Sequence, residues 1–208
     1  MAKTESTFKN MFIVLSSISL VAATTLGFVY QQTKGPIEQT KLNKKLEAIK
    51  QVVPEFNNNP TEDMIMLPTG EGDSLEVYMA KNNDEVVGYA VKTYTNKGFS
   101  GYVALIAGFN PDGSIFNIAV LEQKETPGLG TKMTEPKFKD QFNGKNPSQF
   151  NMTVKKDGGQ VDAITAATIS SRAFCDAVQR AYNTLQKGGL KWISYKILQK
   201  DFLRKIPY

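Results

Sequence analysis

Histidine is absent from this chain of 208 residues, and Cys175 is its only cysteine. A Ser-His-Asp triad, a Cys-His dyad and an ordinary zinc site all need histidine or several cysteines, so the sequence excludes them. A disulfide within the chain is excluded as well. We interpret Cys175 as a core residue of a helix and not as a redox centre. Any catalysis must therefore use hydroxyls, lysines, carboxylates or a cofactor.

The chain also lacks a strong excess of either charge, with 25 basic and 20 acidic residues. Its lysines are scattered and form no stripe, which argues against nucleic-acid binding. The content of 41% hydrophobic and 22% charged residues is typical of a globular protein that can bury a core. The length allows one ordinary domain and a tail.

Charge is missing altogether from residues 11–30, which read MFIVLSSISLVAATTLGFVY. A helix of this length covers roughly 30 Å, the thickness of the hydrocarbon core of a bilayer. A cleaved signal peptide is the alternative, but the run is longer than the usual apolar region of such peptides and no small-x-small cleavage site follows it. We therefore predict a tail at 1–10 and a single transmembrane helix at 11–30. Lysines on both sides leave its orientation open.

The remainder predicts a helical stalk and linker at 31–60 and one α+β domain at 61–208. Helical spacing covers residues 36–53 and is stopped by Pro54. Runs of alternating apolar residues predict strands, and clusters of Asn, Asp, Pro and Gly predict turns between them. The predicted strands are 75–80, 86–95, 102–107 and 114–121, with turns at 82–84 and 110–113 and helices at 136–142 and 169–187. Antiparallel hairpins followed by a helix indicate an α+β fold.

The segment ETPGLG at residues 125–130 directly follows a predicted strand. Gly128 and Gly130 permit close approach of the backbone to a ligand, and their N–H groups are candidates to line a pocket. The spacing is not a dinucleotide-binding fingerprint, because Met133 stands where the third glycine would be. An ordinary Pro-Gly turn is the alternative interpretation.

The segment DAITAATISS at residues 162–171 leads into the last predicted helix. Ser170 and Ser171 are typical helix N-caps, which is one interpretation. The other is an anion site, in which the N–H groups of the helix start bind a phosphate beside the hydroxyl of Thr168. These residues alone leave both open.

Taken together, the motifs resemble the FMN-binding domain family of the RnfG and NqrC subunits. The matching features are an N-terminal span, KGFSGYVALIAGFNPDGSI at 97–115, ETPGLGTK at 125–132 and DAITAATISS at 162–171. They cover nearly the whole chain in one order. The short distance between span and domain resembles RnfG more than NqrC.

The resemblance implies that Thr168 carries FMN through a phosphoester bond. Thr168 matches the last residue of the family's [Ser/Thr]-Gly-Ala-Thr motif, with Thr165 at its first position and Ala167 at its alanine. Ala166 stands where the family usually has glycine, and its methyl group would either crowd the flavin transferase or require a negative φ. The resemblance also implies that the 125–130 segment contributes to the flavin pocket through Thr126, Gly128, Leu129 and Gly130.

The function implied by the resemblance is electron transfer within an ion-translocating ferredoxin:NAD oxidoreductase of the Rnf type. FMN would supply the redox chemistry, because it accepts two electrons and releases them singly. The subunit would carry electrons and not oxidise a substrate by itself. Its domain would lie on the extracytoplasmic side of the cell membrane, with the other membrane subunits and, during maturation, the flavin transferase as partners.

Three alternatives remain at this point. The first is an NqrC-like subunit of a sodium-translocating NADH:quinone reductase. The second is a scaffold that binds no cofactor. The third is an anchored hydrolase with a Ser-Lys dyad, the nucleophile and base pairing that needs no histidine. Ser170 or Ser171 with Lys155 or Lys156 would supply that dyad.

Overall fold

The computed structural model describes residues 7–188 of the chain. It divides the chain into two compact units, Met1–Lys44 and Lys45–Tyr208. The first residues of the predicted tail and the end of the predicted domain, at 189–208, lie outside the described residues.

The first unit contains most of helix α1, which runs from Phe8 to Val52. Its apolar side chains within residues 11–30 are exposed, and a stretch of the helix has a mean hydropathy of 2.1. It is therefore long and apolar enough to cross a membrane. The predicted span and the helical part of the predicted stalk belong to one helix here, because α1 continues through Pro36. A proline inside a helix removes one backbone hydrogen bond but does not always end the helix.

The second unit contains a sheet of five antiparallel strands in the order β1-β2-β3-β4-β5. The strands are β1 Ile65–Pro68, β2 Ser74–Asn82, β3 Glu85–Gly98, β4 Gly101–Phe109 and β5 Ile115–Gln123. The four predicted strands are confirmed, whereas β1 was missed because it is short and lies within a loop-like sequence. Asn83 and Asp84 have φ values of 50° and 68° in the predicted hairpin turn. Such values are typical of the tight turns that match the twist of a hairpin.

Helix α3, Thr168–Lys187, packs against one face of the sheet. The apolar face predicted for it is confirmed, since Phe174, Val178, Ala181 and Leu185 are all buried. The Thr93 hydroxyl of β3 donates a hydrogen bond to a backbone carbonyl of α3. This contact ties the helix to the middle of the sheet.

The other face of the sheet is covered by the last turns of α1. Buried Ala48, Ile49 and Val52 pack there against side chains that include Tyr78 and Ile106. The predicted helix at 136–142 is present as α2, Pro136–Lys139, followed by a 3-10 turn at Asp140–Phe142. The predicted α+β class, with an apolar N-terminal helix before a domain of antiparallel hairpins and helices, is confirmed.

Cys175 lies in the core on α3, as the sequence predicts. Burial raises the pKa of its thiol to about 12. Because the thiolate is the reactive form of cysteine, this side chain is unreactive at neutral pH.

Candidate functional site

A pocket of about 330 Å³ lies between the loop that follows β5 and the start of α3. Its volume is within the range of about 300–1,000 Å³ that is usual for small-molecule sites. It has two walls: the loop wall, residues 123–130, and the helix wall, residues 164–171. Of the residues predicted for the site, Thr126, Leu129, Gly130, Ala166, Ala167 and Thr168 line the pocket. Gly128 and Thr165 lie in the same two segments but do not line it.

The loop wall is fixed by the buried side chain of Glu125. One of its carboxylate oxygens accepts a hydrogen bond from the backbone N–H of Ser100 at 3.1 Å, and the other accepts one from the hydroxyl of Ser170 at 2.7 Å. Gly130 packs against this pair so closely that a Cβ there would lie 2.5 Å from Ser170 Oγ. Only glycine fits at that position.

Gly128 has a different role from Gly130. Its φ of +74° lies in the left-handed region that glycine adopts without strain. Its N–H donates a hydrogen bond to the Thr131 hydroxyl at 3.0 Å. The prediction that this N–H is available to a ligand is therefore wrong.

The helix wall is held by Ser171, whose side chain is fully buried. The Ser171 hydroxyl accepts a hydrogen bond from the N–H of Ile164 at 2.9 Å and donates one to the carbonyl of Ala167 at 3.0 Å. Ser170, next to it, donates to Glu125. Both serines lie in the first turn of α3, and the N-cap is Ala167. The interpretation that they cap the helix is therefore wrong.

Ala166 adopts a φ of +61°, the conformation that glycine would adopt most easily. The expectation that its methyl group requires a negative φ is wrong. An L-residue in this left-handed region is less stable by roughly 1–2 kcal/mol than in its preferred conformation. The hydrogen bonds of the adjoining residues, including one of 3.0 Å from Ala167 N–H to the Ile164 carbonyl, offset that strain.

Thr168 is the first residue of α3 and its side chain is half-buried at the pocket. Its hydroxyl makes no hydrogen bond within residues 7–188, so Oγ1 is available to a ligand. No side chain caps the start of this helix, and its first turn holds no acidic residue. The unpaired N–H groups and the helix dipole therefore favour an anion next to Thr168.

The rim of the pocket carries three exposed apolar side chains. Phe99 is 68% exposed, Ile169 46% and Leu129 39%. Sequence reasoning missed Phe99, Ile169 and Ser170 as pocket residues. It included Glu125 in the pocket segment but gave it no role of its own. The sequence did contain a signal for Phe99. An aromatic residue in a short turn between Gly98 and Gly101 is exposed, and an exposed aromatic side chain is a candidate for ligand binding.

A second cavity, of about 350 Å³, lies at the other end of α3 and has a polar lining. Its charged side chains already pair with neighbours. Arg180 contacts Asp73 at 2.5 Å, and Lys97 contacts Asp176 at 2.6 Å. We therefore take the apolar pocket between the two walls as the candidate site.

The side chains of the hydrolase alternative are engaged elsewhere. The hydroxyls of Ser170 and Ser171 have the partners given above, and Lys155 pairs with Asp162 at 2.7 Å. Across the described residues, none of these serines is hydrogen-bonded to Lys155 or Lys156. Likewise, residues 7–188 contain no group of acidic side chains and cysteine that is suited to a metal ion.

Comparison with known proteins gives consistent matches. Residues 98–183, which include both walls, match the model of the FMN-binding domain family. The chain is 35% identical to the G subunit of the Na+-translocating ferredoxin:NAD+ oxidoreductase complex of Acetobacterium woodii, over 84% of this chain and 89% of that protein. It is 36% identical to the G subunit of the ion-translocating oxidoreductase complex of Erwinia tasmaniensis, over 79% of this chain and 84% of that protein.

Two solved structures are also similar. One is the C subunit of the Na+-translocating NADH-quinone reductase from Parabacteroides distasonis, with 20% identity, 63% of this chain and 69% of that chain covered, and a TM-score of 0.45. The other is NqrC from Shewanella oneidensis, with 21% identity, 63% and 62% of the two chains covered, and a TM-score of 0.41.

Proposed function

Because the chain belongs to the family of G subunits of ion-translocating oxidoreductase complexes, we propose that it is the membrane-anchored, FMN-carrying electron-transfer subunit of such a complex. The observation that carries the proposal is the apolar pocket with the Thr168 hydroxyl at a helix start. The two G subunits that are 35% and 36% identical to this chain favour a G subunit over the NqrC-like alternative.

The residues present fit an FMN group. Phe99, Leu129 and Ile169 offer apolar surface to a flat ring system. Gly130, which has no side chain, lets the loop wall pack closely against Glu125 and Ser170. The start of α3 offers N–H groups to a phosphate. When bound, FMN supplies two-electron acceptance and one-electron release, which the side chains of this chain do not provide.

We further propose that the phosphate of FMN is esterified to Thr168 Oγ1. The other hydroxyls of the helix wall are less suitable. Thr165 is exposed outside the pocket lining, and the hydroxyls of Ser170 and Ser171 are buried and hydrogen-bonded within the protein. An ester bond would retain the group in a pocket that is open to solvent.

In this function the residues of the chain bind and orient the cofactor. The apolar rim would pack against the ring system, and the N–H groups at the start of α3 would hold the phosphate next to the Thr168 hydroxyl. Formation of the Oγ1–P bond would remove the hydroxyl proton and break the bond between this phosphate and its leaving group in an activated flavin donor. We assign this reaction to a flavin transferase during maturation. The finished subunit then passes electrons between other subunits of the complex.

The test is to express the full chain with a flavin transferase and measure the intact mass and in-gel flavin fluorescence. The wild type should gain the mass of one FMN phosphoester, and Thr168→Ala should gain none. Thr165→Ala is the matched control, because it makes the same Thr-to-Ala change three residues earlier in the chain, outside the pocket lining. This variant should retain covalent flavin.

Two results would contradict the proposal. Covalent flavin at the wild-type level in Thr168→Ala would show that the attachment site is a different residue. A wild-type chain without flavin, in a host whose transferase modifies another substrate, would favour the cofactor-free scaffold.

We also propose that α1 is a single membrane anchor and that the second unit lies outside the cytoplasm. The uncharged run within α1 supports the anchor, and the resemblance to the RnfG subunits supports the side. Protease added to intact spheroplasts should digest the second unit. Protection until the cells are lysed would show that the unit lies in the cytoplasm.

A further inference from the structure

Glu125 is a buried acidic side chain with no assigned role in the proposed function. It is 4% exposed, although it lines the pocket. Its two carboxylate oxygens accept hydrogen bonds from Ser100 N–H and Ser170 Oγ. Ser100 lies in the turn between β3 and β4, and Ser170 lies in the first turn of α3. One carboxylate therefore connects three segments that are distant in the sequence.

Each of the three apolar residues at the rim is followed in the sequence by a residue that is hydrogen-bonded to this carboxylate or packs against it. The pairs are Phe99 with Ser100, Leu129 with Gly130, and Ile169 with Ser170. Ser100 and Ser170 are hydrogen-bonded to the carboxylate, and Gly130 is so close that a Cβ there would lie 2.6 Å from Glu125 Oε2. Because adjoining residues share a rigid peptide plane, fixing one of each pair restricts the other.

A second glycine, on the other side of the Glu125 carboxylate, also leaves room for it. A Cβ at Gly98, the last residue of β3, would lie 2.6 Å from Glu125 Oε1. Gly98 and Gly130 thus flank the two oxygens of the same carboxylate. An apolar residue at position 125 would leave the Ser100 N–H and the Ser170 hydroxyl without their acceptor.

We propose that Glu125 is a positioning residue, whose carboxylate sets the spacing between Phe99, Leu129 and Ile169 and thereby the shape of the pocket around the flavin ring. The proposal rests on the proposed function, because the pocket that it shapes is the one assigned to FMN. Glu125 acts through these neighbours and needs no contact with the reacting atoms.

The first measurement uses the full chain in detergent, purified without a flavin transferase. Hydrogen exchange of the Ser100 amide is compared in the wild type, Glu125→Ala, Glu125→Gln and the control Glu135→Ala, which removes an exposed carboxylate. Glu125→Ala should speed exchange at Ser100 at least tenfold, because the amide loses its acceptor. Glu125→Gln should restore most of the protection through its carbonyl oxygen, and Glu135→Ala should behave as the wild type.

The second measurement uses the same variants after expression with the transferase. Glu125→Ala should lower the fluorescence anisotropy of the bound flavin and alter its absorption spectrum, because the ring system loses a fixed environment. Glu125→Gln should rescue both signals. If Glu125→Ala does not fold, Ser170→Ala removes one of the two contacts and should give a partial loss of anisotropy.

The outcomes separate this inference from the proposed function. Wild-type exchange at Ser100 in Glu125→Ala, or wild-type anisotropy and absorption in the flavin-loaded variant, would overturn the positioning role while the flavin assignment stands. A wild-type chain that takes up no flavin would overturn the proposed function instead. In that case exchange at Ser100 still decides whether Glu125 holds the walls together.

Discussion

The two walls of the pocket keep their shape by different means. The loop wall depends on the absence of a side chain at Gly130, which allows the buried Glu125 carboxylate to meet Ser170. The helix wall depends on added hydrogen bonds, because Ser171 holds the backbone around the left-handed Ala166. The loop wall therefore tolerates no added atoms at Gly130. The helix wall, by contrast, should lose stability gradually as individual hydrogen bonds are removed.

The largest expected effect is that of Gly130→Val on the loop wall. The new side chain overlaps Ser170 Oγ and Glu125, so the free energy of unfolding should fall by about 3 kcal/mol, as for severe overpacking. Covalent flavin should be lost. Gly128→Val is the control: its space is open, so only the left-handed backbone penalises it, by about 1–2 kcal/mol. Denaturant unfolding and flavin content are measured for both variants. If Gly130→Val and Gly128→Val lose equal amounts of stability and of covalent flavin, close packing at Gly130 does not shape the loop wall.

Acid should weaken both walls together, because it acts on the sheet that supports them. Burial alone would raise the pKa of Glu76, but hydrogen bonds from Lys92 and Tyr78 overcome this and lower its pKa from 4.5 to about 2. The carboxylate is thus bound more strongly as an anion in the folded state. Its stabilisation, at most about 3 kcal/mol, is complete above pH 4.5 and is lost as the pH falls toward 2.

The check is to measure unfolding at several pH values between neutrality and pH 3 for the wild type and Glu76→Gln. The variant should lose stability less steeply below pH 4.5, since it no longer binds a proton there. The remaining slope should come from other carboxyl groups with lowered pKa values, such as Asp73. Identical slopes would show that Glu76 does not contribute.

Ser171→Ala should weaken the helix wall by an intermediate amount. Without the hydroxyl, the N–H of Ile164 loses its acceptor in a buried position. An unpaired buried donor costs about 1–3 kcal/mol, so urea unfolding should detect the change, and flavin attachment should slow. The exposed Thr165→Ala should alter stability by less than about 0.5 kcal/mol. A larger loss in Thr165→Ala than in Ser171→Ala would contradict this account of the wall.

The smallest effect is expected from Ala166→Gly, and it is favourable. Glycine adopts the φ of +61° found at this position without strain. The folded state should gain up to about 1 kcal/mol, reduced by the greater freedom of glycine in the unfolded chain. Flavin attachment should be preserved or faster. Unfolding and the rate of mass increase during flavin transfer provide the measurements, and a destabilised variant would show that the methyl group makes a needed contact.

Much of the fold was predictable because its signals are local. The apolar period of α3, the Asn-Asn-Asp turn and the two motifs can each be recognised within a short window of sequence. Strand β1 was missed, since a four-residue strand gives too weak a pattern. The continuity of α1 through Pro36 was not apparent from the sequence, because a proline inside a helix removes a backbone hydrogen bond without always ending the helix.

The site was predictable only where a family motif marked it. The motif residues indicated Thr126, Leu129, Gly130 and Thr168, and these line the pocket. The roles of Ser170 and Ser171 were not predictable. A serine at a helix start is usually a cap, and only a partner from elsewhere in the chain gives it another role.

The sequence by itself determined the long uncharged helix, the hairpins and the amphipathic α3, because hydrophobic period and turn chemistry act between near neighbours. Tertiary structure alone decided the pocket. It joined Glu125 to a turn 25 residues earlier and to a helix 45 residues later, and it placed Phe99 and Ile169 at the rim. Such contacts depend on how the sheet and α3 pack, and no local pattern of residues specifies which buried groups will meet.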